Sequence, residues 1–417
     1  MKTLGKYSIG LGDRFGHQGG AQLKAIMDAS TKGIEITPVW NKSNREHTTI
    51  GTQPGDVRIE ADSVTKNGGF KKAYFVDADH INFDTVDRFL ESSDFFTIDV
   101  AAYIGRRAEE KEIMEFLSSV KKYTGELKIP GMKLSFRTTE KQIRLIAEKY
   151  LFAAIKAWDI FRKIEKAKGK GNFITEVSMD EVPDPQTPVE LFFILNMLAS
   201  ENIPLQTIAP KFSGRFNKGV DYVGDPEKFA YEFEADLMVI DFAVKEFGLP
   251  ENLKMSVHSG SDKFSIYPHI GSIIRKHDKG VHLKTAGTTW LEEVIGLAEA
   301  GGEGLKFVKE IYAESLKNID DLCAPYADVI DINVSSLPSE KVVLGWNNKK
   351  FADSLRHIPE NRNYNPNMRQ LIHVAYKLAA HRMEEYYRLL ESNKEIVSQC
   401  VYDNIYDRHI CRLFDLK

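Results

Sequence analysis

The sequence predicts an α/β fold: a (β/α)8 TIM-like barrel over residues 1–300, followed by a mostly helical extension, 301–417, packed on it. Two observations predict it. Short apolar runs rich in β-formers alternate with polar loops and then with helical periodicity, the pattern of parallel strands joined by crossover helices. Eight such runs precede residue 290, at 7–10, 34–37, 73–76, 95–98, 173–176, 205–208, 255–258 and 281–284. Eight is the number that closes a barrel. An open doubly wound sheet shares the alternation and is the alternative architecture.

The first run leads into Gly10-Leu11-Gly12-Asp13-Arg14-Phe15-Gly16, with a helix expected from about Ala21. The glycines permit close backbone approach, and an anion can rest on the helix N-terminus. Gly16 comes one residue too late for a dinucleotide fingerprint. The loop is therefore read as shaping a pocket, with Asp13 and Arg14 as candidate substrate contacts; a plain tight turn is the competing reading. The polar stretch 41–69 is read as an active-site excursion. The third run ends in Asp77-Ala78-Asp79-His80, two carboxylates and an imidazole in four residues, before a helix expected near 83–91. Thr139 and Gln142 can cap a long helix that stops near Gly169 and Gly171.

In the fifth run Glu176 ends an apolar strand, where a carboxylate is costly unless paired or used. Asp180, Glu181 and Asp184 beyond it read as solvated or capping residues. Thr187-Pro188-Val189-Glu190 joins an N-cap, a proline at the first helical position and a capping-box glutamate. Lys211, Ser213, Arg215 and Lys218 follow the sixth run, a cationic group suited to a carboxylate or phosphate. Asp225-Pro226 opens a helix that runs to Gly248. The seventh run ends at His258, and in the eighth His282 and Lys284 share one face because strand side chains alternate. Within the extension, 328–334 looks like a further strand, and a last helix is expected over about 367–391.

Reactive groups of a parallel barrel collect at the C-terminal strand ends. Adjacent strands are expected to bring His258 near His282, and with His80 three imidazoles form a zinc-type set with an open position. Each histidine alone is more often structural; their shared location supports a divalent cation (Zn, Mn or similar). Asp79 and Glu176 are the candidate proton-transfer groups, and Lys211, Arg215 and Lys284 join Asp13 and Arg14 as candidate substrate contacts. Which of Asp79, His80 and Glu176 are ligands is left open. The formal net charge of −4, without a basic stripe, argues against a nucleic-acid partner. No stretch has the uncharged length of a membrane span, and no apolar signal core follows the N-terminus. Three cysteines with no CxxC pair point to a reducing compartment. The expectation is a cytoplasmic enzyme acting on a small molecule, with homo-oligomerisation left open.

The chain resembles the tagaturonate/fructuronate epimerase family. The carriers are Gly10-Leu11-Gly12-Asp13-Arg14-Phe15-Gly16, Asp77-Ala78-Asp79-His80, Thr175-Glu176-Val177-Ser178-Met179-Asp180-Glu181, Ala209-Pro210-Lys211-Phe212-Ser213-Gly214, His258-Ser259-Gly260-Ser261-Asp262-Lys263 and Lys284-Thr285-Ala286-Gly287-Thr288. The resemblance implies interconversion of D-tagaturonate and D-fructuronate in hexuronate breakdown, with a divalent cation. Those sugars differ at carbon 4, β to the ketone at carbon 2, so the ketone does not acidify the proton to be inverted. A retro-aldol route breaks the bond between carbons 3 and 4, rotates the aldehyde and rejoins it. It needs a Lewis acid, two proton-transfer groups and a cationic clamp for the carboxylate. Transient oxidation at carbon 4 is the competing route. A metal-dependent aldolase or ketose isomerase, and a non-catalytic sugar-acid-binding barrel, are the alternative functions.

Overall fold

The computed structural model describes residues 1–132, 135–258 and 262–416. Its centre is a closed barrel of eight parallel strands: β1 (Tyr7–Gly12), β2 (Ile36–Ser43), β3 (Phe75–Ile81), β4 (Phe95–Asp99), β5 (Ile174–Ser178), β6 (Thr207–Ala209), β7 (Lys254–His258) and β8 (Val281–Ala286). Strand β1 pairs with both β2 and β8, which closes the ring and excludes the open sheet. All eight expected runs overlap a strand. Strands β2 and β3 start two residues later than expected and run on through Asn41-Lys42-Ser43 and Asp77-Ala78-Asp79-His80. Those residues are polar because the upper barrel interior is polar, so an apolar pattern stops short of them.

Side-chain alternation divides the interior into layers. Val39, Phe75, Phe95 and Ile174 fill the lower end, where Leu4 joins them as a plug. Asp77, Thr97, Glu176, His282 and Lys284 lie above that floor, all buried. Water and ligands therefore reach the reactive layers only from the C-terminal ends of the strands.

The helix starts follow local chemistry. Thr139 and Thr187 form capping boxes with Gln142 and Glu190, and Asp225 caps the helix Pro226–Phe247. Other expectations are corrected. The stretch 41–69 is no excursion: it is the end of β2 and two ordinary helices, Asn44–Ile50 and Pro54–Asn67. Residues 83–91 hold one short 3-10 turn, Val86–Arg88. Residues 328–334 form no strand; a 3-10 turn ends at Val329, and the closed barrel offers no free edge for pairing. The helix expected over 367–391 is three, Pro366–Val374, Tyr376–Ala380 and Met383–Ser392. No helix among the described residues is long and apolar enough to cross a membrane.

The extension is helical and shares a core with Phe15, Ile50 and the helix Thr289–Ala300. Arg369, fully buried, ties it to the barrel loops. Its guanidinium donates to Gly219 O, to Leu355 O, to Thr288 Oγ1 at 2.9 Å and to Asp262 Oδ2 at 2.7 Å. Residues 401–414 turn back and pack into the barrel's own core, where Phe414 meets Tyr7 edge-on at 4.8 Å.

Candidate active site

The site lies at the mouth of the barrel, over β3, β5 and β7. At the end of β3 an ideal strand would point Asp79 and His80 to opposite faces. The β3–β4 register shifts between Ala78 and Ile81, and His80 sits at φ +50°, a conformation that costs a non-glycine residue about 1–2 kcal/mol. This bulge turns both side chains to the mouth. His80 is then held from two sides: Nδ1–H donates to Asp79 Oδ1 at 2.8 Å, and Nε2 faces Asp180 Oδ1 at 3.4 Å. His258, the last residue of β7, is held likewise. Its Nε2–H donates to Glu176 Oε1 at 2.9 Å and its Nδ1 lies 3.0 Å from Asp180 Oδ1.

His80, Asp180 and His258 thus offer three ligand atoms within 4.8 Å of one another. Ionised carboxylates only accept hydrogen bonds, so without a cation both rings must carry two protons. The electrostatics agree. Burial pushes the His258 imidazole down, but Asp180 and Glu176 outweigh it and raise it; for His80, Asp79 and Asp180 do the same. Burial pushes Asp180 up, yet the two imidazoles hold it well below the carboxylate range. A divalent cation can take the place of the two inner ring protons. The outer nitrogens would remain on Glu176 and Asp79, the carboxylate–histidine arrangement that orients metal-binding imidazoles. Two nitrogens and one oxygen with an open side fit a catalytic cation.

Beneath this layer Lys284 gathers three carboxylates: Asp77 at 2.7 Å, Asp79 at 3.1 Å and Glu176 at 3.2 Å, with Thr97 also accepting from it. Burial alone would raise Glu176, but Lys284 and His258 hold it well down. Asp99, half-buried beside the mouth and paired in register with Ser178, takes one backbone bond, from Ala101 N–H at 2.9 Å. Burial pushes its carboxyl up, partly offset by His80.

Of the three expected metal ligands, His80 and His258 meet and His282 does not. Strands β7 and β8 pair His258 with Lys284 and Ser256 with His282, which puts His282 one layer lower. There Nδ1 bonds Ser8 Oγ at 2.9 Å and the ring packs on Phe95. Asp180 takes its place in the cluster. Glu176, Ser178 and Asp180 are spaced by two, and that alternation could have revealed Asp180 as inward-facing. Asp13 serves the turn, accepting the backbone N–H groups of Phe15, Gly16, His17 and Gln18 at 2.6–3.0 Å. Arg14 donates to Glu46 Oε1 at 2.8 Å and lies over Tyr376. Arg215 pairs with Asp331 at the surface, Lys284 is buried under the site, and Lys211 is half-buried with no side-chain hydrogen bond or ion pair among the described residues. Residues 259–261 of the run after β7 lie outside the described residues.

His282 makes a testable contribution to acid stability. Burial pushes it down to about 3. The unfolded chain, with an ordinary histidine near 6.5, therefore binds the extra proton between those values. Stability from the neutral ring is complete above pH ~6.5 and falls toward pH ~3 by up to about 1.4 kcal/mol per pH unit. Between pH 7 and 5, urea unfolding of the wild type should lose about 2 kcal/mol more than that of His282→Gln. Equal losses in both proteins would remove the assignment.

The sequence pattern of tagaturonate epimerases matches residues 2–413. The chain belongs to the tagaturonate epimerase family. A tagaturonate/fructuronate epimerase of Thermotoga maritima is 29% identical over 420 residues, covering 97% of this chain and 80% of the relative. The fold is shared with a fructuronate–tagaturonate epimerase of Cohnella laeviribosi. Its complex with one glycerol superposes with a TM-score of 0.81 at 23% identity, covering 99% of this chain and 82% of that one. A two-glycerol complex of the same enzyme gives 0.80 at 24% identity, with the same coverage. Relative to these tagaturonate epimerases, the chain spans about four-fifths of their length, and the barrel with its extension lies within the shared part.

Proposed function

We propose that this protein interconverts D-tagaturonate and D-fructuronate by inverting carbon 4, with a divalent cation held by His80, Asp180 and His258. The observation that carries the reading is this triad at the barrel mouth, each imidazole backed by a carboxylate, in a chain of the tagaturonate epimerase family. When bound, the cation supplies Lewis-acid stabilisation of negative charge developing at the ketone end of the sugar.

The chain's residues divide the remaining work. Glu176 is taken up by His258 and Lys284: it orients the imidazole and shares the ammonium with Asp77. Asp79 orients His80, and its tight pairing with Lys284 and the imidazole makes it a weak base. The sequence reading gave both carboxylates the proton transfers. Asp99 fits that role better: it reaches the mouth, forms no ion pair among the described residues, and burial keeps its carboxyl ready to hold a proton. It would be one of the two proton-transfer groups, taking the proton of the carbon 4 hydroxyl as the carbon 3–carbon 4 bond breaks. The cations of the loop after β6 face the acid end of the substrate.

The test is incubation of cation-loaded and chelator-stripped protein with D-tagaturonate, followed by NMR. Conversion to D-fructuronate only in the loaded sample is expected. Equal conversion in both would end the metal reading, and release of three-carbon fragments would identify an aldolase instead. Glu176→Gln keeps the size but not the charge behind His258. It should lower metal affinity or turnover about 10- to 100-fold, read by titration with the cation; unchanged binding and turnover would refute the orienting role.

A further inference from the structure

The loop after β6 leaves the barrel and is fastened to the extension. Lys218 N–H donates to Val329 O at 2.8 Å, and Lys263 Nζ donates to Asn217 O at 2.9 Å and Val220 O at 2.7 Å. Against this loop lies His373, 7% exposed, from the helix Pro366–Val374. A side-chain atom placed on Gly219 would come within 3.4 Å of the His373 Cβ, so Gly219 and His373 are direct neighbours.

The tautomer of His373 follows from its partner. Arg14 lies 3.2 Å from Nε2, and a guanidinium can only donate. Nε2 is therefore the acceptor, and the neutral ring carries its proton on Nδ1. That Nδ1–H is buried and has no hydrogen-bond partner. Burial, then Arg14, Lys218, Arg369 and Lys263, keep the ring neutral. Arg14 is matched by Glu46 and Arg369 by Asp262. The half-buried Lys218 ammonium has no hydrogen bond or ion pair among the described residues. An unmatched cation on the residue next to Gly219 and an unmatched N–H donor on the ring that Gly219 lies against make a place for an anion.

This place is joined to the reactive centre by contacts. Ser43 stands opposite Asp79 in the sheet, and its N–H and hydroxyl donate to Glu46 Oε2 at 3.1 and 3.2 Å. The other Glu46 oxygen accepts from Arg14, which reaches His373. A chain of contacts thus runs from Asp79 to His373.

We infer that Lys218 and His373 form the subsite for the carboxylate of the sugar acid, so that the loop after β6 and the extension read the acid end while β3, β5 and β7 hold the reacting end. One ammonium and one N–H donor match a singly charged, two-oxygen group. The inference rests on the epimerase reading for its substrate, and its test separates the two.

D-Tagaturonate and neutral D-tagatose, which has a hydroxymethyl group in place of the carboxylate, are bound to the cation-loaded protein and followed by calorimetry; turnover of the acid is followed by NMR. In the wild type the acid binds more tightly than the neutral sugar. In Lys218→Met the affinity for the acid and its KM should worsen about 10- to 100-fold, with kcat and D-tagatose binding little changed. His373→Asn, which keeps a donor, should lose less, and Lys211→Met less than Lys218→Met. The subsite is overturned if Lys218→Met still prefers the acid as the wild type does, if it weakens acid and neutral sugar equally, or if Lys211→Met alone abolishes the preference. Absence of turnover in a wild type that still prefers the acid, with the preference lost in Lys218→Met, would sink the epimerase reading and leave the subsite standing.

Discussion

Replacing His258 by alanine should lower conversion of D-tagaturonate by more than about 100-fold and abolish tight binding of the cation proposed for the triad. The bound is set by the effect of losing only an outer partner of a ligand, about 10- to 100-fold; removing the ligand itself costs more. His258 lies between Asp180 and Glu176, at 3.0 and 2.9 Å, and its ring is 5.0 Å from that of His80. Its loss leaves the Asp180 carboxylate with one imidazole instead of two. Glu176 keeps Lys284, so the lower layer should hold its shape. Metal content by mass spectrometry and turnover by NMR check the result. A variant with full metal content and near-wild-type turnover would refute the triad as the cation site.

Replacing Arg369 by methionine should destabilise the fold by about 3–5 kcal/mol, the cost of breaking a buried charge pair from one side. Its guanidinium is wholly buried and bonded to Gly219, Leu355, Thr288 and Asp262. Burial would raise the Asp262 carboxyl; Arg369 above all, with His357, holds it well below its ordinary range. Without Arg369 that carboxylate keeps His357, His409 and Asn404 among the described residues. A lysine cannot restore the four directions of the fork, so Arg369→Lys should recover little. Equilibrium urea unfolding measures both variants. A midpoint within error of the wild type would show that the loops after β6, β7 and β8 are held by other means.

The barrel was legible because its strands are apolar, short and evenly punctuated. What failed was level and direction. His282 and Lys284 were correctly placed on one face, but which of them meets His258 depends on the stagger between strands, and a single sequence carries no record of stagger. Asp180 reads as a capping residue because it follows the end of β5, although its spacing from Glu176 points inward. Arg14 and Arg215 look like substrate contacts because the acids that pair with them, Glu46 and Asp331, lie 32 and 116 residues away in the chain. Residues 328–334 have the composition of a strand, and a closed ring leaves them nothing to pair with.

The return of residues 401–414 to the first strand bears on biosynthesis. Tyr7 finds its aromatic neighbour in Phe414, some four hundred residues later in the chain, and Gly271 lies so close to Leu413 O that a methyl group would meet it at 2.0 Å. The eight strands can associate as they emerge, but the apolar place beside β1 that Phe414 fills stays open until residues 401–414 have been made. A nascent chain halted anywhere before residue 400 would expose that apolar place, making incomplete products natural clients for chaperones and proteases.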